Sequence, residues 1–236
     1  MSNASHKTIG LLGGMSWEST ETYYRLLNEG IKTALGGLHS AKILMHSFDF
    51  AEIEAMQMAG EWDKSGEAMA EAAAGLEAAG ADFILICTNT MHKLAGQVEE
   101  KSHVPLLHIA DATAAVIKEQ GFQKVALLGS RFTMEQDFYK GRLLDQYGIN
   151  VIVPDDADRQ IIHDVIYDEL CLGKATDSAR AEYVCIIEGL QKAGAEAIIL
   201  GCTEIGLLVG ADDTDVPLLD TTKIHADAAV KMAVGS

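Results

Sequence analysis

The sequence predicts an α/β protein built as two pseudo-symmetric domains, each an open, mostly parallel sheet flanked by helices. Three observations predict it. Short apolar runs of strand length alternate with longer stretches of helical spacing, the rhythm of βαβ units. Segments of the first half recur, in the same order, in the second half. The chain of 236 residues is 48% hydrophobic and 22% charged, close to globular averages, and at about 150 residues per domain it suffices for one large or two small domains.

The duplication is legible in three collinear matches. Leu11-Leu12-Gly13 recurs as Leu127-Leu128-Gly129, with Tyr23 and Tyr139 following at equal distance. Gly75-Leu76-Glu77-Ala78-Ala79-Gly80-Ala81-Asp82 recurs as Gly189-Leu190-Gln191-Lys192-Ala193-Gly194-Ala195-Glu196, and Val104-Pro105-Leu106-Leu107 as Val216-Pro217-Leu218-Leu219. Two similar halves of about 110 residues follow, the size of a small α/β domain. We expect a first domain of residues 7–110 plus 220–236 and a second of 111–219.

Taken in order, Thr8 to Leu12 reads as a strand ending in Gly-Gly. Glu18 to Ala34 reads as a helix with Ser16 as N-cap and Glu18 and Glu21 near its start. Ile43 to Phe48 is a second strand, and Glu61 to Ala79 an Ala-rich helix closed by Gly80, where a left-handed residue is needed. Phe83 to Cys87 is continuously apolar, as in strands covered on both faces. In the second half the strands are Val125 to Leu128, Asn150 to Val153, Ala197 to Leu200 and Leu218-Leu219. The helices are Met134 to Gln146, Gln160 to Leu170, Ser178 to Ala193 and Thr222 to Val234.

Charge and composition exclude several function classes. With 18 basic and 35 acidic residues the net charge is −17, a field that repels polyanions, so nucleic acid and anionic membrane are poor partners. No apolar run approaches the roughly 18 residues of a membrane span. Residues 1–6 lack a signal-peptide core and read as a disordered or artificial leader. The 4 cysteines, without CxxC spacing, fit a reducing compartment, and we expect a cytoplasmic protein. The histidines form no HxH or HxxxH pair and no cysteine lies at zinc spacing, so no metal site is expected. Leu12-Gly13-Gly14-Met15 lacks both GxGxxG and GK[ST], the nucleotide-loop signatures.

Ligands of open α/β sheets bind beyond the carboxyl ends of the strands. There the duplication places Cys87-Thr88-Asn89-Thr90 opposite Gly201-Cys202-Thr203-Glu204. Each stretch leads into a helix, whose free N–H groups suit a carboxylate and favour a thiolate over the ordinary thiol pKa of about 8.5. Cys202 is placed to gain from this, whereas alternation turns Cys87 back into the sheet. Packing is the expected role of Cys171 and Cys185, and His92 either reaches the site or is structural.

Lys7-Thr8-Ile9-Gly10-Leu11-Leu12-Gly13-Gly14-Met15, Thr88-Asn89-Thr90-Met91-His92, Leu127-Leu128-Gly129 with Thr133, and Gly201-Cys202-Thr203-Glu204 together resemble the cofactor-independent aspartate/glutamate racemase family, over essentially the whole chain from Lys7 to Val234. Gly13-Gly14-Met15 is similar to the aspartate racemase branch, since cell-wall glutamate racemases carry Asp-Ser there. The resemblance implies an active site in the cleft between the two domains, no pyridoxal phosphate, two opposed thiols that move the α-proton, and a homodimer.

The sequence departs from that pattern where the family has Cys-Asn-Thr: Thr88 stands in the place of the cysteine. In this it resembles a subgroup of L-aspartate/glutamate-specific racemases. The resemblance implies an isomerase that moves the proton at Cα of L-aspartate or L-glutamate, with Cys202 as base for the L-form and Thr88 as opposing proton relay. Met15, Ser16, Asn89, Thr90, Met91, Thr133 and Thr203 would bind substrate, and Glu204 would either orient Cys202 or bind the ammonium group. The family's basic residues for the side-chain carboxylate have no clear counterpart: Ser47 to Trp62 contains no Lys or Arg, and Arg159 is the candidate that remains. A single-cysteine decarboxylase or isomerase of the same superfamily, or a non-enzymatic amino-acid-binding protein, are the alternative readings.

Overall fold

The computed structural model describes residues 6–235. In chain order the elements are β1 (Thr8–Gly13), α1 (Trp17–Leu35), β2 (Lys42–Ser47), α2 (Phe50–Met58), α3 (Trp62–Ala78), β3 (Phe83–Ile86), a 3-10 turn (Thr90–Leu94), α4 (Ala95–Lys101) and α5 (Ile109–Gln120). They continue with β4 (Lys124–Gly129), α6 (Arg131–Glu135), α7 (Asp137–Tyr147), β5 (Asn150–Ile152), α8 (Asp156–Asp168), a 3-10 turn (Leu170–Leu172), α9 (Asp177–Lys192), β6 (Ala197–Gly201), α10 (Ile205–Leu208), β7 (Leu218–Asp220) and α11 (Thr221–Val234). One compact unit runs to Ile109 and resumes at His225, and the other spans Ala110–Ile224.

Each unit holds its own parallel sheet, flanked by helices. The first has strand order β2-β1-β3 and the second β5-β4-β6-β7. The repeat explains the difference. Ile198 N–H donates to Pro217 O and opens the ladder to β7, and Ile84 N–H donates to Pro105 O in the same way, but there only the single bridge Ile84 to Leu106 forms. The fourth strand of the first sheet is thus reduced to one rung. The strand entrances match as well: Asp82 N–H bonds Thr8 O, and Glu196 N–H bonds Lys124 O.

Strand alternation sorts the first core into two layers. Leu12, Ile84 and Ile86 pack on one face with Met69, Ala73 and Val98 from α3 and α4. Ile9, Leu11, Phe83 and Leu85 pack on the other with Tyr23, Leu27 and Ile31 of α1 and Ala226, Ala229 and Ala233 of α11. In the second unit Ala126, Leu128, Ile198 and Leu200 meet Ile162 and Ile166 of α8 and Tyr183 and Ile187 of α9. Ser16 caps α1 by accepting from Ser19 N–H, and Gly80, with φ of 102°, closes α3.

Several elements differ from expectation. The helices α2 and α5 were not expected, and the helix expected after Thr90 begins as a 3-10 turn before it continues as α4; α2 buries only Ile53 and Gln57, too weak an apolar stripe to announce itself. The single helix expected over Met134 to Gln146 is two, broken at Gln136, whose backbone is extended with ψ of 152°. Met134 and Tyr139 are both fully buried, yet on one straight helix they would lie about 140° apart, and the break lets both turn inward. Cys185 is exposed and not packed, because α9 buries the stripe Ala179, Tyr183, Ile186, Ile187 and Leu190 and leaves Cys185 off it. His6, expected to be part of a disordered leader, bonds Ser40 O, and residues 1–5 lie outside the described residues. Among the described residues no helix is long and apolar enough to cross a membrane.

Candidate active site

In the first unit the loops after β1 and β3 carry the residues singled out by the sequence. The β1 loop needs its glycines. Gly14 has φ of 85°, and a Cβ there would stand 2.2 Å from Phe48 O, while a Cβ on Gly13 would stand 2.5 Å from Thr20 Cγ2. Gly14 N–H donates to Thr20 Oγ1 at 2.8 Å, so the turn is locked onto α1. Met15 and Ser16 are buried behind it.

The β3 loop presents Thr88, which is half-buried, followed by buried Asn89 and half-buried Thr90. Cys87 turns into the core beside Leu11 and Tyr23, as alternation requires, and burial pushes its thiol far up. Met91 was expected to face substrate, but its side chain is fully buried in the core with Sδ accepting from Gln57 Nε2. The 3-10 turn at Thr90 rotates Met91 towards the sheet, so only its backbone is available to a ligand. His92 is structural: Nδ1 donates to Thr88 O at 2.8 Å, and Nε2 accepts from Ile109 N–H at 3.2 Å.

In the second unit Ser130 caps α6, sharing a hydrogen bond with fully buried Thr133. The β6 loop places Cys202, Thr203 and Glu204 together. Cys202 Sγ donates to Glu204 Oε2 at 3.0 Å, and Thr203 Oγ1 donates to the same oxygen at 2.8 Å. The Glu204 carboxylate thus lies in hydrogen-bond contact with both side chains that precede it.

This arrangement overturns the expected thiol electrostatics. The helix that follows, α10, has four residues and is too short to build up much dipole. Cys202 is half-buried, and burial pushes its thiol well above the ordinary value. The neighbouring Glu204 charge raises it further, and Cys171 adds to the same effect. The sulfur therefore favours its protonated form beside the carboxylate.

Arg159, the candidate for a side-chain carboxylate, is engaged by other groups of its own unit. Its guanidinium contacts Glu135 at 3.3 Å, Asp156 at 2.6 Å and Pro154 O at 2.7 Å, so two acids 24 and 3 residues away already neutralise it. Among the described residues no group of three or more His, Cys, Asp or Glu side chains is placed to hold a metal ion.

The comparisons agree with this architecture. A proposed Asp/Glu racemase from Yersinia pestis is 54% identical, with a TM-score of 0.92 over 97% of this chain and 99% of that one. An aspartate racemase homologue from Pyrococcus horikoshii OT3 is 32% identical, with a TM-score of 0.84 over 96% and 99%. A broad specificity amino-acid racemase of Bacillus subtilis (strain 168) is 25% identical over 168 residues, 71% of this chain and 72% of that protein. Residues 12–229 match the family described as Asp/Glu/hydantoin racemase, and the chain belongs to that family.

Proposed function

We propose that the protein is a cofactor-independent amino-acid racemase acting at Cα of L-amino acids, L-aspartate and L-glutamate among them, and that it belongs to the subgroup in which Thr replaces the first catalytic Cys. The observation that carries this reading is the Cys202–Glu204 pair at the carboxyl end of β6, with Thr88 at the repeat-equivalent end of β3.

In this reading the substrate's own ammonium group brings a positive charge to the site. Placed beside Cys202 and Glu204 it favours the thiolate, and the thiol proton passes to solvent as substrate binds. The thiolate takes the α-proton of the L-form, and the electron pair left on Cα spreads into the α-carboxylate. Backbone amides and side chains of Asn89, Thr90 and Thr203, with Met15, Ser16 and Thr133, stabilise that charge, the preorganised role that is often the largest catalytic contribution. Thr88 delivers a proton to the other face and recovers one from water. A hydroxyl relays protons but is a poor base, so Cα-H exchange of the L-form outruns inversion, while the two directions of inversion balance because the enantiomers are equally stable in water.

The engaged state of Arg159 widens the proposed substrate range. With no free guanidinium dedicated to a side-chain carboxylate there, neutral side chains pay no penalty for lacking a charge, in keeping with the broad specificity of the Bacillus subtilis relative. The test is proton NMR of an amino-acid panel in deuterated water. Loss of Cα-H signal with the amino acid otherwise intact supports racemisation. Loss of carbon dioxide, or binding with no exchange for any amino acid, overturns it.

A further inference from the structure

Both peptide groups flanking Thr88 are held by buried side chains. Ser19 Oγ, from the first turn of α1, donates to Cys87 O at 2.7 Å, and His92 Nδ1 donates to Thr88 O at 2.8 Å. Ser19 and His92 are each 2% exposed. A peptide is planar, so fixing its oxygen also fixes the N–H on its far side. Cys87 O belongs to the peptide that carries Thr88 N–H, and Thr88 O to the peptide that carries Asn89 N–H. The soft dihedrals of Thr88 lie between these two pinned planes. What remains is χ1, and Thr is β-branched and stiff there.

His92 is pinned in turn. Its Nε2 accepts from Ile109 N–H, which opens α5 and has no partner within that helix. A carbonyl at Nδ1 and an N–H at Nε2 leave one tautomer, with the proton on Nδ1. The ring thus ties the Thr88 loop to the start of a twelve-residue helix. Cys87 N–H, bonded to Leu12 O at 2.9 Å, ties the other side to β1.

We propose that Ser19 and His92 are positioning residues that aim the Thr88 hydroxyl, so that they control inversion and leave proton removal by Cys202 largely untouched. This rests on the racemase reading above. It assigns a task to two side chains whose burial alone would suggest only packing.

Two histidine replacements separate the task from packing. Asn places its Nδ2 where Nδ1 stands and keeps the bond to Thr88 O; Gln places its Oε1 near Nε2, keeps the bond from Ile109 N–H and loses Thr88 O. With the L-amino acid that exchanges fastest in the panel, two rates are read in deuterated water: loss of Cα-H from the L-pool, and appearance of the D-enantiomer. In His92→Gln and Ser19→Ala the ratio of inversion to L-exchange should fall by about 10²-fold, the scale of a misplacement near 1 Å, and His92→Asn should restore most of it. Thermal melts accompany each variant. Should His92→Gln fail to fold, Ser19→Ala carries the comparison alone. An unchanged ratio in Ser19→Ala, or a His92→Asn no better than a folded His92→Gln, overturns the positioning role. No exchange in the parent overturns the racemase reading itself, a result distinct from either.

Discussion

His225 offers a stability prediction with a sign and a size. The ring is fully buried in the first unit, with Nε2 donating to Leu107 O at 2.7 Å and Nδ1 accepting from Tyr23 OH at 2.8 Å. The His92 ring lies edge-on with centroids 5.7 Å apart. Burial lowers the His225 pKa from the ordinary 6.5 to about 4, against the smaller opposing pull of the Leu107 carbonyl. Between these values the unfolded chain binds a proton that the folded chain refuses, so stability rises with pH across the window. The stabilisation is complete above about pH 6.5 and is lost as pH falls towards 4. At about 1.4 kcal/mol per pH unit, the full difference comes to about 3 kcal/mol. His225→Gln keeps the donor to Leu107 O and removes the titration. Tyr23→Phe made with it removes the hydroxyl that would lose its acceptor, a group costing about 1–3 kcal/mol if left buried and unpaired. Urea denaturation of parent and double variant at about pH 7.5 and about pH 4.5 should show the parent losing more stability, by most of that difference. Equal losses in the two proteins would refute the reasoning.

Three further outcomes are expected. Cys202→Ala should reduce Cα-H exchange of L-substrates by about 10² to 10⁴-fold, the usual contribution of a positioned acid or base, while Cys185→Ala, exposed on α9, leaves it unchanged; equal behaviour of the two variants contradicts the assignment. Thr88→Cys supplies a second thiol at the repeat-equivalent position, so exchange from the D-side, slow in the parent, should rise in the variant, measured enantiomer by enantiomer in deuterated water. Glu204→Gln removes the charge facing the Cys202 sulfur at 3.0 Å, so alkylation of Cys202, located by peptide mass spectrometry, should begin at lower pH than in the parent; an unmoved profile means that Glu204 does not hold the thiol up.

The sequence alone determined whatever depends on local spacing or on comparing one half of the chain with the other. β1, α1 and its Ser16 cap, and the apolar run of β3 were readable because periodicity and capping are properties of near neighbours. The pairing of Thr88 with Cys202 as equivalent positions was readable because the halves are duplicated. Only the tertiary structure decided how charge is disposed around those residues. The length of α10 left no mark on the sequence, and the direction of the Cys202 shift turned first on the burial of the thiol and then on the Glu204 carboxylate beside it. Arg159 looked available until Glu135 was folded against it, and His92 was undecided until Ile109 N–H met its second nitrogen. The physical reason is common to all three. Electrostatic and hydrogen-bond partners are chosen by distance in space, and the residues that come within about 3 Å of one another are set by packing, which leaves no periodic mark on the chain.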